Sequence, residues 1–187
     1  MKKLFSLALI AAISMPVFAQ SADIGEEARL PREDRKRESN VWPAFFAVGE
    51  FPANPDVLGV RLTIPFSTRQ ENVTGFDIGL WGRSLYFQGI QVNVLRNDVK
   101  DDMAGFQLGL YNSIGGSKFI GLQAGLWNEA IITSGAQIGL VNISGETEGF
   151  QIGLINRSET MHGYQIGLIN VIRDAEIQFC PVVNIGF

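Results

Sequence analysis

Few side chains in this sequence are of a kind that does chemistry. It has one histidine, His162, and one cysteine, Cys180. A thiol beside an imidazole can act as an activated nucleophile, and both groups ligate metals, but one of each falls short of a four-ligand zinc site. Cys180 stands in the apolar stretch QFCPVV, which suits a small buried residue, and His162 stands in the turn-like SETMHG. Three acids, Asp98, Asp101 and Asp102, share a turn where carboxylates could hold a cation weakly, although a solvated turn accounts for them. The run IGGSKF (Ile114 to Phe119) has the glycines of a phosphate loop without the G-x-x-x-x-G-K-[ST] spacing. No nucleophile, base and orienting group converge along the chain. The sequence therefore assigns no catalytic, cofactor-binding or metal-binding residue and reads as non-enzymatic.

What the sequence does carry is repetition. A glycine opens each unit at Gly75, Gly89, Gly105, Gly121, Gly135, Gly149 and Gly163, with spacings of 14, 16, 16, 14, 14 and 14 residues. The octets run GFDIGLWG, GIQVNVLR, GFQLGLYN, GLQAGLWN, GAQIGLVN, GFQIGLIN and GYQIGLIN, and a degenerate copy, GVRLTIPF, starts at Gly59. Fixed-period similarity of this kind means one supersecondary unit used many times. Within a unit the period is two. Phe150, Ile152 and Leu154 share one face, while Gly149, Gln151, Gly153 and Ile155 share the other, which predicts a strand. The recurrent positions Gly75, Gly105, Gln107, Gly121, Gln123, Gly135, Gln137, Gly149, Gln151, Gly163 and Gln165 are the structural skeleton of the repeat. Polar, turn-forming linkers such as SGETE separate the strands, and no helical stripe follows residue 41.

Two all-β architectures fit. In an antiparallel meander each repeat is one strand, and Val41 to Phe51, the eight copies and Ile177 to Phe187 give about ten strands, an even number that can close into a small barrel. In a β-solenoid each repeat is one 14-residue coil stacked in parallel on the next, which would line Gln91 to Gln165 into an amide ladder. The strict glutamine favours the solenoid. The barrel is favoured by a Gly/Gln face suited to a lumen, an opposite face of Phe, Ile, Leu, Val and Tyr suited to lipid, and a terminal phenylalanine, Phe187. The expectation is the barrel, with Trp81, Tyr111 and Trp127 as candidates for an interfacial belt. Three alternating apolar residues cover only roughly 17 Å of strand, a thin band for a membrane.

The remaining segments place the chain. Lys2 and Lys3, an apolar run from Leu4 to Val17 and Val17-Phe18-Ala19 form a secretory signal pattern over residues 1–19. Residues 20–40, rich in both charge signs, read as a flexible tail, and 41–187 as the β-repeat domain. The formal net charge is −4, and charged residues are 18% of the chain, so nucleic acid is excluded as a partner.

The G-x-Q-x-G-L-x-N units resemble those of bacterial surface-repeat proteins, and FCPVVNIGF resembles the terminal strand of outer-membrane β-barrels, with Pro181 out of place in a strand interior. The resemblance implies an exported envelope protein at the outer membrane or cell surface, with the periplasm as the alternative. It also implies the lipid bilayer and the barrel-assembly machinery as partners, the latter reading Phe187, and leaves a surface ligand undefined. A soluble or surface-attached solenoid binding a partner through its flat face is the alternative reading.

Overall fold

The computed structural model of the chain describes residues 43–49, 51, 56–67, 71–116 and 118–187. The signal pattern over 1–19 and the charged tail over 20–40 lie outside the described residues. One sheet holds eight strands in chain order: β1 (Ala44–Val48), β2 (Asp56–Ser67), β3 (Asn72–Ser84), β4 (Tyr86–Val99), β5 (Met103–Ile114), β6 (Phe119–Ile152), β7 (Ile155–Ile172) and β8 (Phe179–Gly186). Every neighbouring pair from β1 to β7 is parallel, and β8 alone is antiparallel. The protein is a β-solenoid whose repeats stack in parallel, and β6 winds through three successive copies.

This overturns the barrel. A closed meander reverses alternate strands, whereas here Gly105 pairs with Gly89 and Gly121, and Gln107 with Gln91 and Gln123. Parallel stacking puts identical residues on top of one another at about 4.8 Å, close enough for each amide to bond the next. Reversal would leave those buried amides unmatched. The two-residue period and the two faces expected of each strand are kept. Gln151 is fully buried, and Phe150, Ile152 and Leu154 are exposed.

The opening glycines make the stacking possible. Gly149 has φ of 135°, and a Cβ placed there would lie 2.0 Å from the carbonyl oxygen of Gly135, an approach only glycine allows. Two columns of inward side chains fill the coils beside the amides. In the 16-residue coils they are large and apolar, with Phe87, Met103 and Phe119 in one column and Val99 and Ile114 in the other. Farther along, the same places hold Thr133, Thr147 and then Met161 in the first column and Ser144 and Ser158 in the second, all buried. The Ser and Thr side chains there bond one another. Ser144 donates to Ser158 at 3.2 Å and Ser158 to Thr147 at 3.3 Å.

The two irregular copies have physical causes. Gly89 is followed by Asn97 eight residues on rather than seven, and the register shift between Val92 and Arg96 absorbs the extra residue as a bulge, so that Asn97 stacks on Asn112. Asp77, in the glutamine position, faces Arg61 of the preceding coil.

Candidate docking face

The outer wall can be understood only from what the interior takes away from it. Gln165, Gln151, Gln137, Gln123, Gln107 and Gln91 form one column, and each side-chain Nε2 donates to the Oε1 of the glutamine one coil closer to the N-terminus, at 2.7 to 2.9 Å. Gln91 ends the series by donating to the Asp77 carboxylate at 2.8 Å. The same Oδ2 accepts from Arg61 at 2.7 Å and from Asn93 at 2.9 Å. At the other end Gln165 Oε1 is buried without a partner.

A second ladder lies beside it, built from the closing asparagines of the octets. Here the donors point the opposite way. Asn97 donates to Asn112, Asn112 to Asn128, Asn128 to Asn142, Asn142 to Asn156 and Asn156 to Asn170, at 2.7 to 2.8 Å. The second amide proton of Asn128, Asn142 and Asn156 goes to the carbonyl of Ile138, Ile152 and Ile166 in the next coil. The two columns therefore carry opposed dipoles, and the fields of the aligned amides largely cancel instead of summing along the solenoid. Sequence reasoning identified the glutamine column. It passed over the asparagines, although their recurrence at the octet's last position was visible.

With Gln, Asn and the glycines turned inward, the alternate residues must face out, and these are apolar. Phe76, Phe106, Phe150 and Tyr164 belong to one outer row, Ile78, Leu108, Ile138, Ile152 and Ile166 to the next, and Leu80, Leu110, Leu126, Leu140, Leu154 and Leu168 to the third. The side chains are not sunk into the wall: Ile152 is 40% exposed and Leu154 48%. Phe150 stacks on Tyr164 with ring centroids 5.7 Å apart. Between the second and third rows the backbone of Gly125, Gly139, Gly153 and Gly167 floors a shallow trough of about 730 Å³ with apolar walls. Its floor is closed to any larger residue, because a Cβ on Gly139 would meet the Gly125 carbonyl oxygen at 2.5 Å and the Asn128 amide at 2.6 Å.

One margin of this face is an aromatic and charged strip. The Arg96 guanidinium sits 4.7 Å from the Tyr111 ring centre and 5.9 Å from that of Trp81, and Tyr111 stacks on Trp127 at 6.5 Å. These are the three residues considered for an interfacial belt; they stack on one another and on Arg96. Tyr111 donates to Glu129 at 2.8 Å, and burial together with that carboxylate pushes its phenol above the usual tyrosine range. Farther along, burial lowers the Arg157 pKa, against the nearby Glu159 carboxylate.

The residues with chemical potential are not brought together. Asp98 is buried against Arg83 and Arg96, at 3.4 and 3.7 Å, so it is an ion-pair partner and not a ligand in a solvated turn. Cys180 is half-buried and His162 exposed, which corrects the expectation of a buried thiol. Among the described residues no three His, Cys, Asp or Glu side chains are grouped to hold a metal ion. Phe187 is 98% exposed, just beyond β8. Comparison with protein-family models, curated proteins and solved structures finds no match.

Proposed function

We propose that the protein is exported to the cell envelope and serves there as a stiff, non-enzymatic scaffold that binds a partner through its flat apolar face. The observation that carries the docking role is the exposed three-row wall of Phe, Ile and Leu. Eight rows, from the Gly59 copy to the Gly163 copy, span roughly 38 Å at about 4.8 Å each, and three outward residues with their side-chain girth span roughly 18 Å. The resulting footprint of about 700 Å² exceeds the largest apolar patch of an ordinary monomer, about 300–600 Å². Stiffness follows from three parallel bonding systems per coil: the backbone ladder, the glutamines and the asparagines. Export is supported by the Lys2-Lys3 start and the apolar run to Val17, and a surface role by the likeness of the octets to those of surface-repeat proteins.

The test is fractionation of cells producing the native chain and the Ile138→Lys/Ile152→Lys variant. The native chain should be found in the envelope fraction and resist extraction by salt, and the variant should be released. A cytosolic native chain overturns export, and a variant retained as firmly as the native chain overturns the docking face.

A further inference from the structure

The flat face has the geometry of one half of a sheet-on-sheet interface. Its rows are in register from the Gly105 copy onward, with shifts at the third row in the earlier copies, and they are free of charge over the eight copies: at no outward position of the three rows does a Lys, Arg, Asp or Glu occur. The residues just before the opening glycines, which border it, are Leu58, Thr74, Gln88, Ala104, Ile120, Ser134, Glu148 and His162. That border has no lysine or arginine, the residues with which a peripheral protein grips anionic headgroups, and Arg96 on the opposite margin is engaged by Asp98 and by the Trp81 and Tyr111 rings. The Ile and Leu rows with the glycine trough between them form a ridge, a groove and a second ridge, all apolar. A flat, uncharged apolar wall can be covered by a second wall of the same kind, as in sheet-on-sheet packing.

We infer that the occupant of this face is a second copy of the same chain, packed face to face about a twofold axis so that the two three-row walls cover each other. This rests on the docking-face reading above and names its partner. Two sheets packed in this way sit about 10 Å apart with interdigitated side chains. With a footprint of about 700 Å² on each copy, the dimer buries about 1,400 Å², within the range of stable, specific interfaces, about 1,200–2,000 Å². A twofold arrangement uses the same patch on both copies and closes, leaving no apolar row exposed for further growth.

The experiment is light scattering and sedimentation of the full chain over a broad dilution series, with lysine variants on and off the face. The native chain should have twice the 20.5 kDa chain mass. Ile138→Lys and Ile152→Lys should each weaken the dimer by at least about a hundredfold, because an unpaired ammonium would be buried among apolar side chains. Ile177→Lys, in the exposed turn before β8, should leave the dimer intact. Circular dichroism and a cooperative denaturation transition establish that the variants fold, as expected for positions already 40% or more exposed. A dimer indifferent to the face lysines overturns the inference. A monomer that binds neutral phosphatidylcholine vesicles, with binding lost in Ile152→Lys, also overturns it but leaves the docking face standing. A monomer that binds no vesicles and is unaltered by the substitutions overturns both.

Discussion

Replacing Gln137 by methionine tests whether the amide column is a directional chain, because position then matters more than residue type. Gln137 is fully buried, donates to Gln123 at 2.8 Å and accepts from Gln151 at 2.7 Å. Methionine keeps the shape and removes both bonds. Gln151 retains acceptors in Ser144 at 3.0 Å and the Arg157 carbonyl at 3.4 Å, so its amide remains satisfied. Gln123 Oε1 loses its ladder donor inside the coil, a penalty of about 1–3 kcal/mol, and the second lost bond adds about 0.5–1.5 kcal/mol. Allowing for the gain from burying a thioether in place of an amide, Gln137→Met should cost roughly 2–3 kcal/mol. Gln165→Met should cost much less, roughly 0–1 kcal/mol, since it also removes Gln165 Oε1, an acceptor already without a partner. Urea denaturation followed by circular dichroism gives both values from shifts in midpoint at constant slope. If Gln165→Met destabilises the protein as much as Gln137→Met, the directional account is wrong.

The other predictions concern the ends and edges of the same framework. Asp77→Asn removes the charge facing Arg61, which is fully buried, and should cost roughly 3–5 kcal/mol in chemical denaturation, with part regained in the Asp77→Asn/Arg61→Met double variant. Gly149→Ala combines backbone strain at φ of 135° with a backbone clash at 2.0 Å and should lower stability by roughly 2–5 kcal/mol by the same assay. The raised Tyr111 pKa favours the neutral phenol in the fold. That stabilisation is complete below the ordinary tyrosine value of about 10 and is lost as pH rises above it toward the folded pKa, so the midpoint should fall on the alkaline side less steeply in Tyr111→Phe.

Much of this was readable in the sequence, and the error lay in one step. Alternation gave the strands, and it correctly put Gln151 on one face and Phe150, Ile152 and Leu154 on the other. The inference from faces to closure failed, because an inward Gly/Gln face and an outward apolar face describe a barrel wall and a solenoid wall equally well. What separates them is which residue stacks on which. That information was present in the unvarying glutamine, whose amide has a reason to recur only if it meets its own kind. It was outweighed by Phe187 and the apolar rows, features of the outer surface that leave strand direction undetermined. Asp77 and Asn93 depart from the octet, standing where the other copies have Gln and Gly. Asp77 is instead the terminus of the glutamine column, and Asn93 bonds both Asp77 and Asn97. The Arg61 partnership was not legible, because nothing in a degenerate copy sixteen residues away signals an ion pair.

The placement of amides inside and hydrocarbon outside is the reverse of the ordinary globular arrangement, and the stacking explains why it is tolerated. With an apolar interior a one-residue slip turns the buried face outward, but a two-residue slip keeps the same face inward, and aliphatic packing alone separates those two registers weakly. An amide column cannot slip. A displacement of one residue would face Gln137 with Leu122 or Ala124 and leave donors and acceptors buried without partners at every coil. Register is therefore fixed by Gln and Asn, and stability comes from bonds that run from coil to coil, so hydrophobic residues are not all needed within. Opposed donor directions in the two columns let the array lengthen without accumulating a large end-to-end dipole. Only then is the outer wall released from the need to be polar for the sake of the fold, and its Phe, Ile and Leu rows can be set by what they touch. A wall that was merely a by-product of alternation would tolerate lysine at Ile138 and Ile152 in the cell as well as in the test tube. A wall that docks should tolerate it only in the test tube, where folding alone is measured.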